Sequence, residues 1–255
     1  MSDISICIPT YEYGGDGVKY LSELFDTLKN QTFKNFDIVI SDHSLDDDIM
    51  NFCEKSSDDF EITYAKNPNG RGKLGPNTNC ALELAAGHIC KIAYQDDLFV
   101  ANDALEKIVF EYESSGCKWA FNSFCHTKDG KEFFREVTPV WEDCVLEGRN
   151  LLGNPSGMSV LNESKMYMDD KLNLLVDTEL YHRMRIVYGL PHIIDYVLTA
   201  TREHDNRTSS SKVFYNGRID HPKGSWLINR EEIDYIKTLH LDYFGPDWKY
   251  PDEQD

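Results

Sequence analysis

The sequence predicts an α/β fold, a Rossmann-like and mostly parallel central sheet flanked by helices, with a C-terminal helical and loop extension. Three observations carry the prediction. Short β-branched runs alternate with helix-periodic segments along the N-terminal part of the chain. Each run stops at a polar or acidic turn. The 255 residues are 41% hydrophobic and 12% aromatic, enough apolar surface for the core of one large domain.

The elements follow in order. Ile4, Ile6 and Ile8 alternate with Ser5 and Cys7 until Pro9 and Thr10 end the first strand. Gly14, Gly15 and Gly17 lie ahead of residues 18–29, where Val18, Leu21, Leu24, Phe25 and Leu28 recur at helical spacing. Residues 36–41 form a second strand, stopped by Asp42-His43-Ser44 and the cluster Asp46-Asp47-Asp48, so a parallel βαβ unit is complete. A third strand at 62–65 leads into a Gly/Pro/Asn-rich loop, 67–76, followed by a helix at 77–86 that Gly87 closes and a strand at 89–94. A helix at 104–113, a strand at 119–124 and irregular sequence through Pro155 come next. A helix at 175–188, a strand at 192–197, a polar loop at 202–217, a helix at 231–244 and an acidic tail at 246–255 complete the chain.

Composition bounds the function. A net charge of −18 argues against a nucleic-acid partner, because phosphate backbones are held by clustered Lys and Arg. An anionic ligand instead calls for a divalent cation between carboxylate and phosphate. No apolar run is long enough to span a bilayer and the N-terminus has no signal-peptide pattern, so the expected location is the cytoplasm, with peripheral membrane association. The seven cysteines (Cys7, Cys53, Cys80, Cys90, Cys117, Cys125 and Cys144) form no Cys-x-x-Cys pair and read as reduced thiols.

Open parallel sheets bind ligands beyond the carboxyl ends of their strands. Three motifs fall there: Pro9-Thr10-Tyr11-Glu12, Asp42-His43-Ser44 and Gln95-Asp96-Asp97. Each alone is an ordinary turn; their succession is the signal. Farther on, Val176-Asp177-Thr178-Glu179 opens a helix that carries Arg183.

This succession resembles the family 2 glycosyltransferases over about residues 4–207, and the resemblance implies a GT-A fold. It implies division into a donor-binding half (1–100), an acceptor and catalytic half (101–200), and a mobile loop, C-terminal helix and acidic tail (201–255). It further implies that Pro9, Thr10, Tyr11 and Glu12 border the nucleotide together with Asn79 and Asp96, that Asp42 accepts a hydrogen bond from the base, and that Arg71 or Lys73 meets the diphosphate. Asp97 and His204 are the implied ligands of Mn²⁺ or Mg²⁺, Asp177 the implied general base, and Arg207, Ser156 and Gly157 contacts to diphosphate or acceptor. The sequence departs from the family pattern at Gln95, where the metal motif begins with Asp, and at Val176, where the acidic pair begins with Glu.

The expected activity is inverting transfer of a sugar from a nucleotide-diphosphate donor, a UDP-sugar first, to a hydroxyl of a carbohydrate, lipid-linked or protein acceptor in polysaccharide or glycolipid assembly. Metal chemistry at a departing diphosphate and a carboxylate base for the hydroxyl suit that reaction. A nucleotidyltransferase is the first alternative, for which Gly14-Gly15-Asp16-Gly17 is a faint phosphate-loop match. A nucleotide-sugar binding protein without activity is the second.

Overall fold

The computed structural model describes residues 2–147, 150–204, 218–220 and 227–249. Strand β1 (Ile4–Thr10) is buried along its whole length. Parallel to it lie β2 (Phe36–Asp42) on one side and β4 (Ile89–Ile92) on the other, with β3 (Ile62–Lys66) beyond β2. Such central strands have no solvent face: Ile4, Ile6 and Ile8 enter one core, and Cys7 enters the other.

Helix α1 (Gly17–Lys29) covers the first core with Leu21, Leu24, Phe25 and Leu28. Each fully buried side chain of this kind contributes roughly 1.5–3 kcal/mol. Helix α2 (Asp48–Ser56) occupies the stretch read as an acidic turn. Its buried residues are Ile49 and Cys53, too sparse a pattern to stand out in the sequence. Helix α3 (Leu74–Leu84) begins inside the Gly/Pro loop, because the first helical turn has backbone N–H groups without intrahelical acceptors and Pro76 forfeits nothing there. At Gly87 the chain passes so close to β1 that a Cβ would lie 2.6 Å from the Ser5 nitrogen, which leaves glycine alone able to make the turn.

The second half of the sheet is mixed. It comprises β5 (Leu98–Phe99), β6 (Trp119–Thr127), β7 (Phe133–Val137), β8 (Met158–Leu161) and β9 (His192–Arg202), with α4 (Ala104–Ser115) and α5 (Val176–Tyr188) between them. Among the described residues the order is β3-β2-β1-β4-β8-β6-β9-β5, and β7 pairs with β6. Strand β8 runs antiparallel to both β4 and β6, whereas β9 runs parallel to β6. Neither β7 nor β8 is legible in the sequence: β7 is a largely exposed edge strand, and β8 is four buried residues without alternation.

Farther on, β10 (Arg218–Asp220) pairs with β11 (Leu227–Asn229), and α6 (Arg230–Phe244) packs Ile233, Tyr235 and Ile236 on the core shared with α3 and α5. Among the described residues no helix is long and apolar enough to cross a membrane.

Candidate active site

The ends of β1 and β2 lie side by side and form the floor of the candidate site. Thr10 donates its hydroxyl to the Ser41 carbonyl and to Asp42 Oδ1, both at 3.3 Å. Asp42 is fully buried and saturated. Oδ1 also accepts the Ser44 N–H (2.8 Å) and hydroxyl (2.6 Å), while Oδ2 accepts the Tyr64 hydroxyl (2.8 Å) and the Lys66 ammonium (3.2 Å). Burial works to raise its pKa, but the donors from Ser44, Tyr64 and Lys66 outweigh it and hold the carboxyl below its ordinary value. Asn77, a residue the sequence did not single out, ties the first turn of α3 to this floor through the Thr10 carbonyl (2.9 Å) and Ser41 (2.7 Å).

The wall is Gln95-Asp96-Asp97, the turn after β4. Gln95 stands where the family has an acid, and the structure gives it a different task. Its Oε1 accepts the Tyr11 N–H (2.9 Å) and its Nε2 donates to the Gly17 carbonyl (2.6 Å), clipping the end of β1 to the start of α1. The clip holds an aromatic group over the site: Tyr11 and Tyr13 lie with ring centroids 3.9 Å apart, and Tyr20 stacks on His204 at 5.5 Å. His204 Nε2 meets Asp96 Oδ2 at 2.9 Å. Of the two residues expected at a cation, His204 contacts Asp96, the neighbour of Asp97. Asp97 has its oxygens on the Arg202 N–H (2.9 Å) and the Asn154 amide (2.8 Å). Burial, then the neighbouring Asp96 charge, push Asp97 up to about 7 against the hydrogen bonds of Ser156, Arg202 and Asn154.

A loop, residues 150–157, joins this wall to the start of α5. Asn154 holds Asp97, the Ser156 hydroxyl accepts the Tyr94 N–H (2.8 Å), and Asn150 donates to Asp177 Oδ2 (3.3 Å). The loop is pinned from below by Lys91, a fully buried lysine whose ammonium donates to the Ser156 carbonyl (2.5 Å) and to Asn122 (2.9 Å). Asp177 lies in the first turn of α5 and takes the Thr178 N–H on Oδ1 (2.8 Å). Burial raises it to about 6 although the Thr178 amide and Asn150 pull the other way. The residues just before α5 are held by Glu232 of α6, which accepts the N–H groups of Asn173 (2.8 Å), Leu174 (3.1 Å) and Leu175 (2.8 Å).

The other expected residues divide. Pro9 lies within β1 beside Ser41, and Tyr11 and Glu12 border the site. Arg71 reaches back to the His43 carbonyl (2.9 Å) and pairs with Glu12. Lys73 instead donates to the Asp170 carbonyl (2.8 Å), and Asn79 is occupied by the Met168 backbone, whose N–H and carbonyl it bonds at 2.8 Å each. Asn79 lines a separate cavity of about 570 Å³ with Cys80, Glu83, Tyr167 and Arg183. Gly157 closes the 150–157 loop by donating to the Asn154 carbonyl (3.0 Å). Arg183 is committed to the buried Glu179 (2.5 Å). Arg207 and most of the polar loop at 202–217 lie outside the described residues. Asn150, Lys91 and Glu232 were not foreseen, since each matters through a partner distant in sequence.

The family model described as Glycosyl transferase family 2 matches residues 5–178, more than half of the chain. The chain belongs to that family. A family 2 relative from Escherichia coli, the UDP-Glc:alpha-D-GlcNAc-diphosphoundecaprenol beta-1,3-glucosyltransferase WfaP, is 31% identical over 100 residues, 39% of this chain and 39% of the relative. The chain spans about two fifths of the length of the relatives it matches. Among solved structures, S. aureus TarS 1-349 in complex with UDP-GlcNAc superposes with a TM-score of 0.68 at 15% identity, over 98% of this chain and 68% of that one. The mannosyltransferase PcManGT from Pyrobaculum calidifontis, in complex with GDP-Man and Mn²⁺, gives 0.55 at 17%, over 78% and 56%. These likenesses establish the GT-A fold for this family 2 chain.

A divalent cation fits the donor set of the family 2 site. Among the described residues no group of three or more His, Cys, Asp and Glu gathers. Mg²⁺-type sites keep waters and substrate phosphates as most of their ligands and need one or two side chains. Asp96 would be such a side chain, with His204 Nε2 2.9 Å from its Oδ2 as a neighbour.

Proposed function

We propose that the protein is an inverting glycosyltransferase that moves a sugar from a nucleotide-diphosphate donor, a UDP-sugar first, to a hydroxyl of a lipid-linked saccharide. The observation that supports this reading is the 150–157 loop, in which Asn154 donates to Asp97 and Asn150 donates to Asp177, so that one short segment bonds both carboxylates. The E. coli relative, by its name a UDP-Glc transferase acting on a diphosphoundecaprenol-linked GlcNAc, supports the donor and acceptor classes. Work on such an acceptor calls for peripheral association with the membrane surface.

In this reading Tyr11 and Tyr13 flank the nucleotide, with the saturated Asp42 fixing the strand end beneath it. Asp96 and His204 would hold Mn²⁺ or Mg²⁺, which when bound would offset the negative charge of the departing diphosphate. Arg71 stands by the site with Glu12 as its present partner. Asp177 takes the proton from the acceptor hydroxyl as its oxygen bonds to the anomeric carbon and the bond from that carbon to the diphosphate breaks. The electron pair leaves with the nucleoside diphosphate, and attack from the opposite face inverts the anomeric centre. A base near 6 is ionised at neutral pH yet still accepts a proton in the transition state.

Thermal-shift measurements with UDP-glucose, with and without Mn²⁺, test the donor side, since a ligand bound only by the folded state raises apparent stability. The expected result is a Mn²⁺-dependent rise in Tm that is lost in Asp96→Asn. A rise of equal size in that variant would remove Asp96 from the donor site.

A further inference from the structure

We infer that Asn150 is the positioning residue of the base, presenting Asp177 with a hydrogen-bond donor that the surrounding loop prevents from turning over. The inference rests on reading Asp177 as the base and adds to it the group that keeps that base ionised and aimed.

The orientation of the Asn150 amide is fixed by its own loop. Its Oδ1 accepts the N–H groups of Leu152 (3.0 Å) and Gly153 (3.2 Å), and its Nδ2 donates to the Gly153 carbonyl (2.8 Å) as well as to Asp177 Oδ2 (3.3 Å). Turning the amide over would set N–H against two N–H groups and oxygen against oxygen, so the face toward Asp177 is always a donor. A donor serves a carboxylate. A carboxylic acid gains nothing from it at the oxygen that bears the proton, so the contact favours the charged form.

The groups around Asp177 make this contact consequential. Glu232 of α6, which caps the approach to α5, is a like charge that disfavours the carboxylate. Tyr94 from the end of β4 and Tyr181 from α5 are buried, neutral phenols beside it. The Thr178 N–H occupies Oδ1. Asn150 is therefore the side-chain donor against burial and Glu232, and through the backbone to Asn154 it sets the base in register with Asp97.

Titration of carboxyl carbons by NMR in the ¹³C-labelled full chain tests this without requiring the natural acceptor, with Asp177→Asn identifying the resonance. Asn150→Asp keeps the shape and the Oδ1 acceptor but turns an oxygen toward Asp177, whereas Asn150→Ala removes the donor. The expected result is an Asp177 titration raised by about one pH unit or more in Asn150→Asp and to a smaller extent in Asn150→Ala. The acid limb of UDP release from UDP-glucose moves by the same amount, with the rate recovering at higher pH. An Asp177 titration that stays in place in Asn150→Ala, or in both variants, overturns the inference while leaving the base reading intact. Wild-type UDP release by Asp177→Asn overturns the base reading, and this inference with it.

Discussion

Asp42, at the end of β2, and Asp177, at the start of α5, are two carboxylates in opposite surroundings. Asp42, at the end of β2, is fully buried but accepts donors from Thr10, Ser44, Tyr64 and Lys66 and is held ionised. Asp177, in the first turn of α5, takes the Thr178 amide, its own backbone N–H and the Asn150 side chain, yet rises to about 6 through burial. A carboxylate with every lone pair taken stabilises structure; one with spare lone pairs and a raised pKa is available to accept a proton.

The contrast breaks most sharply in rate. Asp177→Asn is expected to lower kcat for glycosyl transfer by about 10²–10⁴-fold, the usual contribution of a positioned base. The same variant should lose the acid limb near pH 6, since the base form of a group raised to about 6 exists only above that pH. A retained limb in Asp177→Asn would assign the proton transfer elsewhere.

Stability sharpens the contrast from the other side. Asp42→Asn places an amide among donors and leaves Lys66 with the longer Asp47 ion pair (3.8 Å), a loss of about 2–3 kcal/mol at neutral pH, on the order of 5–10 °C in Tm for a chain of this size. The sign with pH follows from the lowered folded pKa: Asp42 contributes stability above its unfolded pKa, and that contribution disappears as pH falls through the folded value. The difference in Tm between wild type and Asp42→Asn should therefore narrow in acid. For Asp177 the raised pKa works the other way, so ionisation near neutral pH costs stability and Asp177→Asn should melt at or above the wild-type temperature. Melting curves of both variants across pH decide it.

The smallest effect concerns the clip. Gln95→Ala removes the bonds to Tyr11 and Gly17 and is expected to cost about 1 kcal/mol, with a raised KM for the donor and a nearly unchanged kcat. A large fall in kcat would mean that Gln95 touches the reacting groups.

The same contrast explains what could be read in advance. Strand β1, helix α1 and strand β2 were legible because alternation and helical spacing depend on residues near one another in sequence. So were the turns that carry Asp42 and Asp97, since they end apolar strands. Helix α2 and strand β8 were not, because two apolar anchors or four buried residues do not define a period. Within the site, Asp177 is singled out by its resemblance to the family's acidic pair, but its environment is not legible in the sequence. Asn150 meets it from 27 positions away, Asn154 reaches Asp97 across 57, and Glu232 holds Leu175 across 57. The role of Gln95 was hidden for the same reason: the sequence records a missing acid, whereas the fold has made it a bridge.

Glu232 sets an order of events in the life of the chain. Because three peptide groups ahead of α5 lean on a carboxylate from α6, the approach to α5 is completed only when α6 has been made and docked. A ribosome-bound fragment ending before Arg230 would already contain Asp96, Asp97, Asp177 and His204 and still lack that support. Docking of α6 thereby becomes the step that braces the start of α5.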